Sequence, residues 1–288
     1  MKIFITGHLG FIGPYLTQEL DKRKIPWVGY DLKQGEDTRD ANMLDTAIEK
    51  CQPTHIIHLA ALAGVRRGNK YPDAYISTNI TGTSNIVNIA EDLDVPNLIF
   101  YSSSSVFGDI NEPPVKETGA KEPTNIYGIT KLAGEHIVRN SSIRHRVLIR
   151  PFTVYGENPR KDMVIGKWIE QYKSLKPLTV YGDGSSCRGY VYVRDLVKST
   201  VDIVESGGMG CEDYNLGGSE VIYLRDILAA FDEVLPNVIT REFPMPKEDI
   251  KSQYADTTKA KKDLGFNPKK QFITKLKKIL NENQLPRP

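Results

Sequence analysis

The chain has 288 residues, 40% of them apolar and 26% charged, with a formal net charge of +2. That length buries ~75% of the unfolded surface, in one large domain or two small ones. The near-balanced charge argues against a nucleic-acid footprint, and no apolar run approaches the ~18 residues of a membrane span. Cys51, Cys187 and Cys211 are too few and too widely spaced for a disulfide framework or a zinc site. The expectation is a soluble protein of the reducing cytoplasm, without a metal, a nucleic-acid partner or a membrane partner. Met1–Ile5 leads straight into a strand pattern, unlike a signal peptide.

In chain order, Lys2–Thr6, Pro26–Tyr30, His55–Leu59, Asn97–Tyr101 and Arg146–Arg150 are short runs rich in Ile, Val, Phe and Leu, each reading as a buried parallel strand. Between them, Ile12–Lys22, Asn42–Cys51, Ala74–Leu93 and Asn125–Asn140 read as crossover helices. This rhythm predicts an α/β fold with a Rossmann-type doubly wound parallel sheet. After Arg150 turn-rich segments intervene, and helical patterns return at Val164–Ser174, Val193–Glu205, Leu224–Val234 and Thr257–Leu264. We expect residues 1–156 to form the first domain, with 187–206 returning to it. Residues 157–186 and 207–288 form a smaller, interleaved C-terminal domain, with a polar frayed tail at Asn281–Pro288.

Gly7, Gly10 and Gly13 lie between the first strand and the first helix, where a tight turn brings backbone N–H groups and the positive helix end toward a pyrophosphate. The spacing is G-x-x-G-x-x-G, and His8 within it reads as a spacer. Asp31 ends the second strand, where a carboxylate accepts ribose hydroxyls and repels a 2′-phosphate, so NAD is expected over NADP. Lys33 reads as a solvated charge.

Tyr127 and Lys131 stand at i and i+4, on one helix face. A free phenol, with a pKa of ~10, is a poor base at neutrality, but a nearby ammonium favours the phenolate. Tyr127 is thus the expected general base for a sugar hydroxyl. Ser102–Ser105 follow the fourth strand, at the carboxyl end where such sheets place ligands.

Glycine loop, strand-end Asp31, His58–Ala61, the serine-rich strand end and Tyr127-x-x-x-Lys131 occur in one order that resembles the extended short-chain dehydrogenase/reductase family, its nucleotide-sugar epimerases and dehydratases. The resemblance runs to about Phe266 and includes residues 103–108, 150–156 and 188–193. It implies that Gly7, Gly10, Phe11, Ile12, Gly13, Asp31, Leu32 and Leu59, Ala60, Ala61 bind NAD, with Asp37 and Thr38 beside the adenine and Asn79 near the cofactor. It implies Ser103, Tyr127 and Lys131 as the catalytic set, the latter two also touching NAD. Phe152 and Thr153 would approach nicotinamide and sugar, Arg188 the diphosphate, and Leu178, Thr179 and Tyr181 the base. Arg66 and Asp249 join the substrate set, although Pro246 and Lys247 stand where the family expects Arg or Gln. It further implies a homodimer through the helices at Ala74–Leu93 and Asn125–Asn140.

Dehydratases of this family carry Asp-Glu where this chain has Ser104 and Ser105, so the acid that eliminates water is missing. The UDP-glucuronate 4-epimerases are most similar, through residues 59–66, 152–156 and Arg160–Met163. Oxidation at C4 of a uronic acid creates a β-keto acid prone to losing CO₂, so the carboxylate must be held. Ser104, Ser105, Thr153 and Arg160 have hydroxyl and guanidinium groups suited to that task. The implied function is C4 epimerisation of a UDP-sugar, UDP-glucuronate to UDP-galacturonate. The alternatives are a UDP-glucose/UDP-galactose-type 4-epimerase and a non-catalytic NAD-sensing regulatory protein on the same fold.

Overall fold

The computed structural model describes residues 1–109, 113–206, 210–246 and 249–282. The first half runs β1 (Ile3–Thr6), α1 (Gly13–Lys22), β2 (Trp27–Tyr30), α2 (Ala41–Cys51), β3 (His55–His58), α3 (Val65–Lys70) and α4 (Pro72–Ile76). A π-helical turn (Ser77–Thr81) then leads into α5 (Gly82–Asp92), β4 (Asn97–Tyr101), α6 (Ile126–Arg139) and β5 (His145–Pro151). The second half runs β6 (Thr153–Tyr155), α7 (Val164–Lys173), β7 (Leu178–Tyr181), β8 (Cys187–Tyr192), α8 (Val193–Glu205) and β9 (Cys211–Leu216). It finishes with β10 (Val221–Tyr223), α9 (Leu224–Val234), β11 (Thr240–Phe243), β12 (Ser252–Gln253), α10 (Thr258–Leu264) and α11 (Phe272–Glu282).

Six parallel strands form the main sheet in the order β2-β1-β3-β4-β5-β9. Successive residues of β1 alternate between its two faces. Ile3 and Ile5 join Leu16, Leu20, Ile57 and Ile99 under α1 and α8, while Phe4 joins Leu44, Ile48, Ile56 and Ile86 on the other side. Burial on both faces is why these strands read as continuous apolar runs. Asp40 and Asn125 start α2 and α6 by accepting hydrogen bonds from Met43 N and Gly128 N. No helix among the described residues is long and apolar enough to cross a membrane.

The interleaving differs in detail from the sequence expectation. Strand β9, in the stretch assigned to the smaller domain, closes the main sheet beside β5. Strand β8, expected to return to the first domain, instead pairs with β6, β10 and β12 in a second sheet, and only α8 returns, to pack on α1. The reason is edge position: Cys211 is exposed and Glu212 and Asp213 are half-buried, so β9 lacks the apolar signature of its neighbours.

Candidate active site

The sheet order reverses direction between β1 and β3, and the loops leaving these strands lie side by side, as expected of a ligand crevice. Gly7 takes φ +77°, and a Cβ there would stand 2.6 Å from Ala60 N, so glycine lets the two loops touch. At Gly13 a Cβ would run into the His8 carbonyl. No side chain caps the first turn of α1 and no acid lies in it. Pro14 in that turn carries no N–H and Tyr15 N donates to Ile12 O, so what this end offers an anion is chiefly its positive dipole. Asp31 is buried at the end of β2, accepting from Leu9 N at 2.9 Å and from Lys33 N at 2.9 Å. A carboxylate has about four lone-pair sites, so acceptor capacity remains for ribose hydroxyls. This open anion cradle with an acid beside it fits a dinucleotide. Phe11 and Ile12 line the start of α1, and Leu32 is exposed next to Asp31. Lys33 Nζ donates to Leu9 O at 2.6 Å, which makes it a clasp on the loop.

Asp37 is chelated by Arg39, which holds its carboxyl below the usual range, and Thr38 is buried against Gly82. Asn79 sits in the π-helical turn, 1% exposed. Its Oδ1 accepts from Leu62 N at 2.8 Å, and its Nδ2 donates to Leu62 O and Thr130 Oγ1, both at 3.0 Å. Its amide therefore pins the Leu59–Leu62 loop to α6 rather than facing the crevice. His58 bridges Thr6 Oγ1 and Thr83 Oγ1 beneath that loop, and burial pulls its imidazole down to about 3.

Ser103 stands at the end of β4, and Tyr127 and Lys131 stand one turn apart on α6. Ser103 extends from β4 and caps the next turn, with its Oγ accepting from Ser105 N at 3.1 Å. Burial pushes the Tyr127 phenol up, while a hydrogen bond with Ser103 and the Arg160 charge pull it back down. Lys131 Nζ donates to Tyr101 O at 2.7 Å, and burial draws the ammonium down to about 7, opposed by Glu135. Glu135 continues the i, i+4, i+8 line of α6 and is fully buried. It accepts from Arg150 Nε and Nη2, both at 2.7 Å, and from Ser102 Oγ at 2.5 Å, and Arg150 also reaches Asp213. This buried network clamps α6 to β4, β5 and β9, and sequence reasoning missed it.

The remaining expected residues divide. Ser105 Oγ accepts from Ser103 Oγ at 3.2 Å, beside the catalytic set. Ser104 instead donates to Gln253 Oε1 at 3.0 Å, its hydroxyl spent on joining β4 to the second sheet; Gln253 was not foreseen. Phe152 is 2% exposed and stacks on Phe107 within a small apolar cluster. Leu178 lies in the core, and the half-buried Thr179 hydroxyl accepts from Gln171 Nε2 at 2.6 Å and keeps its own donor. Thr153 is half-buried at the start of β6. The Tyr181 ring carries the Arg66 guanidinium at 4.4 Å, and Arg66 pairs with Asp249 at 2.9 Å, linking the two halves. Arg188 donates to the Cys187, Ile250 and Lys251 carbonyls, is pulled down by burial, and has no carboxylate in ion-pair reach among the described residues. A desolvated guanidinium without a counter-charge suits a diphosphate. Arg160 stands beside Tyr127 but is forked by Asp162. Lys247 lies outside the described residues.

Residues 3–217 match the model of the NAD dependent epimerase/dehydratase family. The UDP-glucuronate 4-epimerase of Thermodesulfobacterium geofontis is 30% identical over 309 residues, covering 96% of this chain and 94% of that protein. The crystal structure of UDP-glucuronic acid 4-epimerase from Bacillus cereus, in complex with UDP-glucuronic acid and NAD, superposes with a TM-score of 0.91 at 29% identity over 99% of both chains. UDP-glucose 4-epimerase from Thermus thermophilus shares the fold, with a TM-score of 0.89 at 23% identity over 99% of both chains. With the glycine cradle, Asp31 and the Tyr127–Lys131 pair in place, the chain is an enzyme of the NAD dependent epimerase/dehydratase family, and its cofactor is NAD.

Proposed function

We propose that the enzyme inverts C4 of a UDP-sugar, and that the sugar is UDP-glucuronate, converted to UDP-galacturonate. The observation that carries the uronate reading is Arg160: its guanidinium and the Tyr75 hydroxyl both border Gly64, and the Tyr75 ring meets that of Tyr127 edge-on at 6.4 Å. The similarity to UDP-glucuronate 4-epimerases over almost the whole chain supports the same reading.

NAD, held by the glycine loop and Asp31, would supply the hydride acceptor and donor that inversion at C4 requires. Tyr127 takes the O4 proton and gives it back, Ser103 holds O4 in line with the phenol, and Lys131 places positive charge behind it. Arg188 neutralises the diphosphate, about which the 4-keto sugar turns between the two transfers. Ser105, Thr153 and Arg160 hold the uronate carboxylate out of the perpendicular geometry that expels CO₂. We also infer a homodimer through α4, α5 and α6, because Ile76 on α4 and Ile129 on α6 are 45% and 46% exposed on neighbouring helices.

The test is product identification by NMR after incubation with UDP-glucuronate and, separately, UDP-glucose, repeated with Arg160→Ala. We expect UDP-galacturonate, and a loss of ~10- to 150-fold in kcat/KM for the uronate alone in the variant, with UDP-pentose by-product. Equal loss on both sugars, without pentose, would make the neutral-sugar epimerase the better reading.

A further inference from the structure

Arg160 enters the site already engaged by an anion. Its Nε and Nη2 donate to Oδ1 and Oδ2 of Asp162 at 3.0 and 2.5 Å, a parallel fork of the kind a guanidinium makes with any carboxylate. The backbone of Arg160 is held in a turn by Met163 N, and α7 closes on it so tightly that a Cβ at Gly166 would strike the Arg160 carbonyl. The backbone that carries the guanidinium is therefore held in place. Asp162 lies under the loop that follows β3, where Gly64 takes φ +107° and a Cβ would come within 2.8 Å of Asp162 Oδ2. Nearby, Tyr75 donates to the Ala63 and Gly64 carbonyls, and its ring meets that of Tyr127 edge-on at 6.4 Å. The pair thus sits at the wall of the catalytic crevice.

The two partners differ in their freedom. The Asp162 side chain is 50% exposed and the Arg160 side chain 31%. Asp162 can turn to water at small cost, because a half-exposed ion pair contributes little. Arg160, more enclosed, gains most by keeping some carboxylate on its fork.

We propose that Asp162 is an internal stand-in for the substrate's carboxylate: it occupies Arg160 in the free enzyme and is exchanged for the uronate when the sugar binds. This rests on the uronate reading of the site. The exchange makes Asp162 a specificity-determining residue. It keeps the guanidinium compensated when the site holds no uronate. It also weakens uronate binding, since the incoming carboxylate must displace a like-charged competitor. A neutral sugar leaves the Arg160–Asp162 pair intact.

The test is a double-mutant cycle in the holoenzyme with Asp162→Asn, Arg160→Ala and the double variant, measuring KM and kcat for UDP-glucuronate and UDP-glucose. Asp162→Asn removes the competing charge while keeping shape. The KM for UDP-glucuronate should fall about 3- to 10-fold relative to that for UDP-glucose. In the Arg160→Ala background the same change should bring no such gain, which a merely structural role of Asp162 would not produce. If Asp162→Asn raises the uronate KM, Asp162 orients Arg160 and the exchange is wrong. An equal gain without Arg160 is simple charge repulsion and also overturns it. Wild-type enzyme that turns over UDP-glucose but not UDP-glucuronate, with Asp162→Asn no better, refutes the uronate reading itself. Wild-type activity on UDP-glucuronate with no response to Asp162→Asn refutes the exchange alone.

Discussion

Replacing Asn79 with alanine would separate a cofactor contact from a structural pin. The side chain is buried and satisfies Leu62 N–H and C=O, while Thr130 retains its own bond to the Tyr127 carbonyl. Asn79→Ala thus strands one donor and one acceptor of the loop that flanks the glycine turn. Each of the two stranded groups costs ~1–3 kcal/mol, so the expected loss is roughly 2–6 kcal/mol. At ~2–4 °C per kcal/mol for a chain of this order of size, the melting temperature of the NAD-free protein should drop by roughly 4–24 °C. Differential scanning calorimetry, followed by NAD titration of the folded variant, reads both consequences. Unchanged melting with a collapse in NAD affinity would mean that Asn79 contacts the cofactor directly, and the pin would be wrong.

Tyr127→Phe should lower kcat by ~10²–10⁴ with NAD still bound, checked by single-turnover assay; near-normal turnover would remove Tyr127 as the base. Asp31→Ala should weaken NAD by ~10- to 150-fold while NADP suffers less, measured by calorimetric titration; an unaltered preference would sink the ribose assignment. His58 has a folded-state pKa of about 3 against an ordinary 6.5, so below 6.5 the unfolded chain binds a proton that the folded one does not. Stability is therefore lost as pH falls from about 6.5 toward 3, by about 2 kcal/mol at pH 5 from this residue. His58→Asn should lose less of its melting temperature between pH 7 and pH 5 than the wild type; an identical drop would assign the acid sensitivity elsewhere. Ile76→Glu with Ile129→Glu should shift light scattering from dimer to monomer at micromolar concentration, and a monomeric wild type would end the dimer proposal.

Strands β1, β3, β4 and β5 were legible because burial on both faces leaves an apolar run, whereas β2, at the sheet edge with Val28 exposed, was legible from its composition alone. Strand β9 was not, because an edge strand can carry Glu212 and Asp213, and its place depends on β5. Helix α11 holds Phe272, Leu276, Ile279 and Leu280 at helical spacing, yet the lysines between them masked it. The placement of Ser103 at a strand end and of Tyr127 and Lys131 one turn apart on a helix could be read because local spacing defines each. Gln253, Asp213 and Asp162 owe their roles to contacts that no local spacing encodes, and Gln253 meets Ser104 only after the second sheet has formed. Ser104, Phe152 and Leu178 mark the converse: buried side chains engaged within the fold.

The path of β5, β6, α8 and β9 has a mechanical consequence. The backbone leaves the main sheet after Pro151, returns through α8 and β9, and leaves again at β10. A rigid rotation of one layer against the other would have to bend several crossings at once, whereas a door on a single linker needs one. The crevice should therefore admit its sugar by rearranging surface loops, and a ketone intermediate turning inside it would do so behind walls that stay put. Cutting the chain near residue 156 would yield a sheet without its last strand rather than a freestanding nucleotide-binding half.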